Sequence, residues 1–154
     1  GALGAACLLP PDRPRGPVAR LAGVGLSTVV VAGTANLLNL LDLRPGRALK
    51  AGALLALPAL AHRGAAPPAA AVLGAGAAAL PADLGERTML GDTGANALGA
   101  VLGTALAAGN APPARAALAA GIVALTLASE RVSFSAVIAR TPGLRELDAL
   151  GRRP

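Results

Sequence analysis

One long apolar run constrains the fold of this chain more than any other feature. It covers residues 18–41, and three polar residues spaced three apart mark its end: Asn36, Asn39 and Asp42. A helix needs about 20 apolar residues to cross the hydrocarbon of a bilayer, so this run is long enough for one span. Because side chains three apart are neighbours on a helix, we expect the three polar residues to form one stripe.

The composition favours a membrane protein. Hydrophobic residues make up 54% of the chain and charged residues only 14%, whereas soluble domains carry about 25% charged residues. One Phe and no Trp or Tyr argue against a large soluble core built on aromatic side chains. The apolar runs lack the alternation of a strand. We therefore predict an all-α fold, a polytopic helical membrane protein with about five transmembrane helices.

Four shorter apolar runs supply the other predicted spans, at residues 48–61, 67–80, 93–108 and 114–129. They divide the chain into three parts. Residues 1–17 are a linker, proline-rich at 10–17, or the remnant of a preceding helix. Residues 18–130 form a transmembrane helical domain with two cytoplasmic motif loops, and residues 131–154 form a basic cytoplasmic tail.

The distribution of charge predicts the topology. Five spans place the loop at Asp42, the loop at Asp92 and the C-terminal tail on one side, with nine of the 14 basic residues. By the positive-inside rule that side is cytoplasmic, so we expect a multi-pass protein of the cell membrane. The basic residues are scattered between apolar runs without aromatic side chains to stack bases, which excludes nucleic acid as a partner. Membrane lipids or a substrate phosphate are the expected partners.

A second polar segment, MLGDTGAN at residues 89–96, follows about fifty residues after the first. In one interpretation Asp92 or Thr93 caps a helix. In the other, backbone N–H groups beside glycines approach a phosphate while the Asp92 carboxylate holds Mg²⁺. The polar stripe that ends at Asp42 also allows two interpretations, since its asparagines could simply form hydrogen bonds with neighbouring helices. Gly99 and Gly103 form a G-x-x-x-G pair, which predicts close helix packing.

Taken together, N-x-x-N-x-x-D followed by P-G-R-A, and M-L-G-D-T-G-A-N-A-L-G, resemble the polyprenyl-phosphate sugar-1-phosphate transferases. These MraY/WecA-like membrane enzymes form glycosyltransferase family 4. The resemblance covers roughly residues 25–105 and matches the C-terminal half of the family pattern. It implies transfer of a sugar-1-phosphate from a UDP-sugar to polyprenyl phosphate in cell-envelope glycan synthesis, with release of UMP and with Mg²⁺ as cofactor. A homodimer is also an expected assembly.

The resemblance assigns roles to individual residues. Asp92 matches the Mg²⁺ ligand of the family. The family's polar set at the cytoplasmic active site corresponds here to the catalytic candidates Asn36, Asn39 and Asp42. The family's substrate-binding loop corresponds here to Met89, Gly91, Gly94 and Asn96.

Departures from the family pattern predict weak chemistry. No Asp-Asp motif precedes residue 18, and no histidine-rich loop lies in the tail. Leu43 follows Asp42 where the family has Gly, and Met89 stands where the family usually has Phe. We therefore expect a truncated or divergent transferase that is inactive alone. The alternative is a non-catalytic membrane scaffold or accessory subunit that retains the fold.

Overall fold

A computed structural model describes residues 1–8 and 16–152. The described residues form eight α-helices and contain no strand, which confirms the predicted all-α class. The helices are α1 (Ala2–Leu8), α2 (Pro17–Leu41), α3 (Arg47–Ala59), α4 (Ala66–Leu84), α5 (Gly91–Gly109), α6 (Pro112–Ser129), α7 (Phe134–Arg140) and α8 (Leu144–Ala149). Most of the predicted linker at 10–17 lies outside the described residues; Pro17 itself belongs to the first turn of α2.

Helix α2 packs against α5 with almost no space between the two backbones. A Cβ atom added to Gly99 would lie 2.6 Å from the Cα of Ala35, and one added to Gly103 would lie 2.6 Å from the Cα of Val31. Later residues of α5 thus meet earlier residues of α2, so the helices are antiparallel. The close-packing role predicted for this glycine pair is confirmed.

Helix α6 lies on another side of α2 and runs parallel to it. The guanidinium of Arg115 donates to the Ser27 hydroxyl at 3.2 Å, and the Asn36 side chain donates to the Thr126 hydroxyl at 3.5 Å. The later residue of α6 contacts the later residue of α2, so the C-terminal ends of the two helices lie at the same end of the bundle.

Helices α3 and α4 complete an up-and-down arrangement. The N–H of Gly46, just before α3, donates to the side chain of Asp83 at the end of α4. At the opposite end of the bundle, a Cβ on Gly109 of α5 would lie 3.1 Å from Ala65, which precedes α4. Helices α2 to α6 therefore alternate in direction. We call the end that holds Asp42, Asp83 and Asp92 the acidic end.

The interior of the bundle is small and aliphatic, and its outside is also apolar. Leu38, Leu49, Val72 and Leu102 are buried in one cluster among alanines. Many other large apolar side chains are exposed, for example Leu125, which is 51% exposed. Within the described residues, α2 and α6 are long and apolar enough to cross a membrane. The finer expectation of five spans stays a prediction.

The C-terminal segment is folded against the bundle, as two short helices that composition did not predict. The Nε and Nη2 groups of Arg47 donate to the two carboxylate oxygens of Asp148, at 2.7 and 3.0 Å. The Nη1 group of Arg47 donates to the Ser135 hydroxyl at 2.8 Å. Lys50 Nζ donates to three carbonyl oxygens around the end of α8, at 2.6 to 3.2 Å. We call these contacts the Arg47–Lys50 clamp. It attaches the segment to the start of α3, at the acidic end.

Candidate functional site

Asp42 joins the two predicted motifs. It directly follows the last turn of α2, where its N–H donates to the carbonyls of Leu38 and Asn39 at 3.1 Å each. Asp42 is buried, and the backbone N–H of Gly91, the first residue of α5, stabilises its charged carboxylate. The antiparallel packing of α2 and α5 thus places the end of the first motif beside the glycine loop of the second.

Asp83 is a third carboxylate at this end, and the sequence analysis missed it. Its Oδ2 accepts the N–H of Gly46 at 2.5 Å, and its side chain is almost fully buried, with 3% exposure. Its Oδ1 is buried without a hydrogen-bond partner among the residues that the structure describes. The third apolar run was expected to end at residue 80, but α4 continues through Pro81. The last turn, which carries Asp83, forms beyond this proline, and the Gly85 N–H donates to the Pro81 carbonyl at 3.2 Å.

The three carboxylates interact electrostatically. Burial raises the pKa of Asp42 above its usual range, and the neighbouring carboxylate of Asp83 raises the pKa further. The Gly91 N–H lowers this pKa, and Asp92 makes the smallest contribution, raising it. Neighbouring negative charge disfavours the ionised form of Asp42, and a bound cation would favour it. The acidic end is therefore a place where positive charge would be stabilised.

Asp92 lies in the first turn of α5 and is exposed. Negative charge is favoured at that position by the helix dipole. The interpretation of Asp92 or Thr93 as the helix cap is wrong, because the N-cap residue is Leu90 and no side chain caps the helix. The Asp92 carbonyl instead accepts a hydrogen bond from the Asn96 side chain at 2.7 Å. The Asp92 carboxylate thus remains available to a ligand.

Two glycines shape the loop around Asp92. Gly91 has a φ of +62°, in the left-handed region that an L side chain seldom adopts. Gly94 packs against Leu90, since a Cβ there would lie 3.3 Å from that side chain. Met89 is 59% exposed at the start of the loop. The loop therefore presents backbone and one flexible apolar side chain to the surroundings.

The asparagines of the predicted stripe are less clearly part of the site. The Asn36 side chain faces α6, where it bonds Thr126, which agrees with the interpretation that this asparagine links neighbouring helices. Asn39 is half-buried one turn before Asp42. Within the described chain its side chain makes no hydrogen bond. The structure thus brings together Asp42, Gly91 and Asp92, adds Asp83, and leaves Asn36 turned aside.

The donor chemistry of the acidic end fits Mg²⁺, although the site is sparse. Among the described residues no group of three or more His, Cys, Asp or Glu side chains is placed to hold a metal ion. Mg²⁺, however, prefers oxygen ligands, keeps several waters and is commonly held by only one or two carboxylates. The exposed carboxylate of Asp92 and the carboxylate of Asp42, whose pKa the charge of Asp92 raises, supply oxygens of this kind. Asp92 and Asp42 are the residues that would hold the ion.

Comparison of the chain with models of protein families, with curated proteins and with solved structures finds no match. The function of the acidic end is therefore inferred from its residues and from their geometry.

Replacing Asp83 by Asn tests the electrostatic group. We expect Asp83→Asn to lower the pKa of Asp42, because it removes the carboxylate whose charge raises that pKa most, while the amide oxygen can still accept the Gly46 N–H. Asp92→Asn should lower that pKa less, since Asp92 contributes least. Carboxyl ¹³C shifts of labelled aspartate, followed during a pH titration in detergent, measure both effects. An unchanged Asp42 titration in Asp83→Asn would show that the two carboxylates do not interact.

Proposed function

We propose that this chain carries the second half of the motif set of a polyprenyl-phosphate sugar-1-phosphate transferase and acts in cell-envelope glycan synthesis. One observation carries the proposal: the antiparallel packing of α2 against α5 places Asp42, at the end of α2, at the same end of the bundle as Gly91 and Asp92. This placement supports the proposal that the two motifs, which resemble this family in order and spacing, form one site. Its substrates would be a UDP-sugar and polyprenyl phosphate.

The residues at the acidic end have distinct roles in this proposal. Mg²⁺, when bound, neutralises charge on the diphosphate of the UDP-sugar. Asp92 and Asp42 would hold the ion, and the Gly91–Gly94 backbone would let the phosphates approach closely. A phosphate oxygen of the lipid attacks the sugar-bearing phosphorus, and the bond from that phosphorus to the oxygen of the departing UMP breaks. Positioning of the two phosphates supplies most of the rate in such transfers.

The proposed setting is the cell membrane, with α2 to α6 as five spans and the acidic end in the cytoplasm. The length and apolar character of α2 and α6 support this location. The alternating direction of the five helices and their exposed apolar side chains agree with it. The excess of basic residues in the loops at the acidic end favours the cytoplasmic side for that end.

We expect the purified 154-residue chain to release no UMP when it is supplied with UDP-sugars, polyprenyl phosphate and Mg²⁺. Asp92 and the ion would neutralise the donor, but the family's Asp-Asp motif, which helps position the acceptor, has no counterpart before residue 18. Co-expression with a segment that carries such a motif should restore UMP release, and Asp92→Asn should then abolish it. UMP release by the chain alone would contradict the expected inactivity, and its loss in Asp92→Asn would still support the site.

The second candidate function is a non-catalytic membrane scaffold or accessory subunit. The departures from the family pattern favour it, since no Asp-Asp motif precedes residue 18 and Leu43 follows Asp42 where the family has Gly. The same assay separates the two candidates. No UMP release even beside the complementary segment, together with co-purification of the two, would indicate a scaffold.

A further inference from the structure

The helical segment after α6 has an exposed surface that nothing in the bundle covers. We propose that α7 and α8 lie in the headgroup layer of the membrane and bind anionic phospholipids. This inference rests on the proposed membrane location and adds to it a lipid-binding surface with a preference for negative charge. We call residues 131–152 the tail.

One part of the tail surface is apolar. Leu144 and Leu147 lie three residues apart on α8 and thus adjoin each other on one stripe. Both are exposed, as is Val137 on α7, and Leu150 just after α8 is 65% exposed. If this short segment were surrounded by water, the exposure of these apolar side chains would cost free energy. Their arrangement is typical of an amphipathic segment whose apolar face enters the boundary between headgroups and acyl chains.

The charges of the tail complement an anionic surface. Its four arginines exceed its two acidic residues, Glu146 and Asp148. Asp148 is already paired with Arg47 and Arg152, and Glu146 is paired with Arg145. Arg131 and Arg140 are exposed and make no ion pair with any residue in the described ranges. The free charge of the tail is therefore positive.

The position of the tail identifies the occupant of this surface as lipid. It begins two residues after the end of α6, one of the two helices long and apolar enough to cross a membrane. The Arg47–Lys50 clamp holds its other side at the start of α3, six residues after the end of α2, the second such helix. The tail is thus fixed where these helices leave the apolar layer. Exposed arginines and exposed apolar side chains in one short segment suit the layer where phosphates adjoin acyl chains.

A single introduced tryptophan tests the proposal, because the chain contains no Trp or Tyr. Leu144→Trp is placed in the full chain and reconstituted into vesicles of brominated phosphatidylcholine, with or without about one third phosphatidylglycerol. We expect bromine quenching of this tryptophan to be about twofold stronger in the anionic vesicles and to weaken at high salt. Leu150→Trp is a second reporter if the first variant folds poorly. Val29→Trp, on an exposed position of α2, is the control for the spanning region.

Each outcome has a definite meaning. Quenching of Leu144→Trp that prefers anionic vesicles, and that loses this preference in Arg131→Gln/Arg140→Gln, supports the proposal. Equal quenching in both lipids would overturn the anionic preference. Quenching at position 29 alone, or shielding of position 144 by a second copy of the chain, would overturn the proposal and leave the membrane location intact. No quenching at either position would overturn the membrane location as well.

Discussion

Replacing Gly99 and Gly103 together by alanine is expected to lower the free energy of unfolding by about 2–6 kcal/mol, the sum of two overpacked sites. Each added Cβ would lie 2.6 Å from a Cα atom of α2. Because the obstructing atoms belong to a helix backbone, no side-chain rotation relieves the contact. The two helices must move apart, and this movement increases the distance between Asp42 and Gly91. Unfolding by SDS in mixed micelles, followed by circular dichroism, measures the loss.

Gly121 in α6 offers a matched control. It lies in the middle of a helix, and an added Cβ would meet no atom within 4 Å. Alanine there should be neutral or stabilising by up to about 1 kcal/mol, from its higher helix propensity. If the double variant unfolded at the same SDS fraction as Gly121→Ala, the close packing of α2 and α5 would not be the main contact of the bundle.

Asp148→Asn is expected to cost about 3–5 kcal/mol, the range for breaking a buried ion pair from one side. The side chain of Arg47 is only 6% exposed, and the variant leaves its charge without a carboxylate. The tail should then detach before the bundle unfolds. Limited trypsin digestion reports detachment through earlier cleavage at Arg140 and Arg145, and SDS titration reports the free energy.

Glu146→Gln is the control for this prediction. Its partner Arg145 is adjacent in sequence, and both side chains are more than half exposed. Exposed ion pairs contribute little, so neither the trypsin pattern nor the unfolding curve should change. A wild-type digestion pattern in Asp148→Asn would show that the clamp does not hold the tail.

The same ion pair predicts a dependence on pH. The hydrogen bond from Arg47 holds the pKa of Asp148 below its ordinary value of 3.8. A carboxyl whose pKa is lowered by folding stabilises the protein fully above the ordinary value. That contribution is lost as pH falls below 3.8 toward the lowered pKa. The stability difference between wild type and Asp148→Asn should therefore narrow over that acidic range and be constant at neutral pH.

The sequence predicted the helical elements well because hydrophobic runs and helix breakers are local signals. The five apolar runs correspond to α2–α6, and the predicted alternation of loops placed Asp42 and Asp92 at one end, where the structure has them. Asp83 was missed because Pro81 was interpreted as the end of its helix. The helix nevertheless continues to Leu84, three residues beyond this proline.

The partner of Arg47 could not be predicted from local pattern. Its sequence position, after a proline-glycine turn, is equally consistent with a hydrated loop arginine. Only the packing of α6 against α2 brings Ser135 and Asp148 to it, and nothing in the spacing of residues 131–152 specifies that contact. Long-range pairs of this kind depend on the assembled bundle.

The clamp also imposes an order on biosynthesis. Asp148 lies 101 residues after Arg47, so at 5–20 residues per second the arginine leaves the ribosome on the order of 5–20 s before its partner. In a chain inserted as proposed, an unpaired guanidinium is retained in water for that interval, because its burial in hydrocarbon is costly. The turn before α3 is therefore kept on the side of synthesis while α4 to α6 enter.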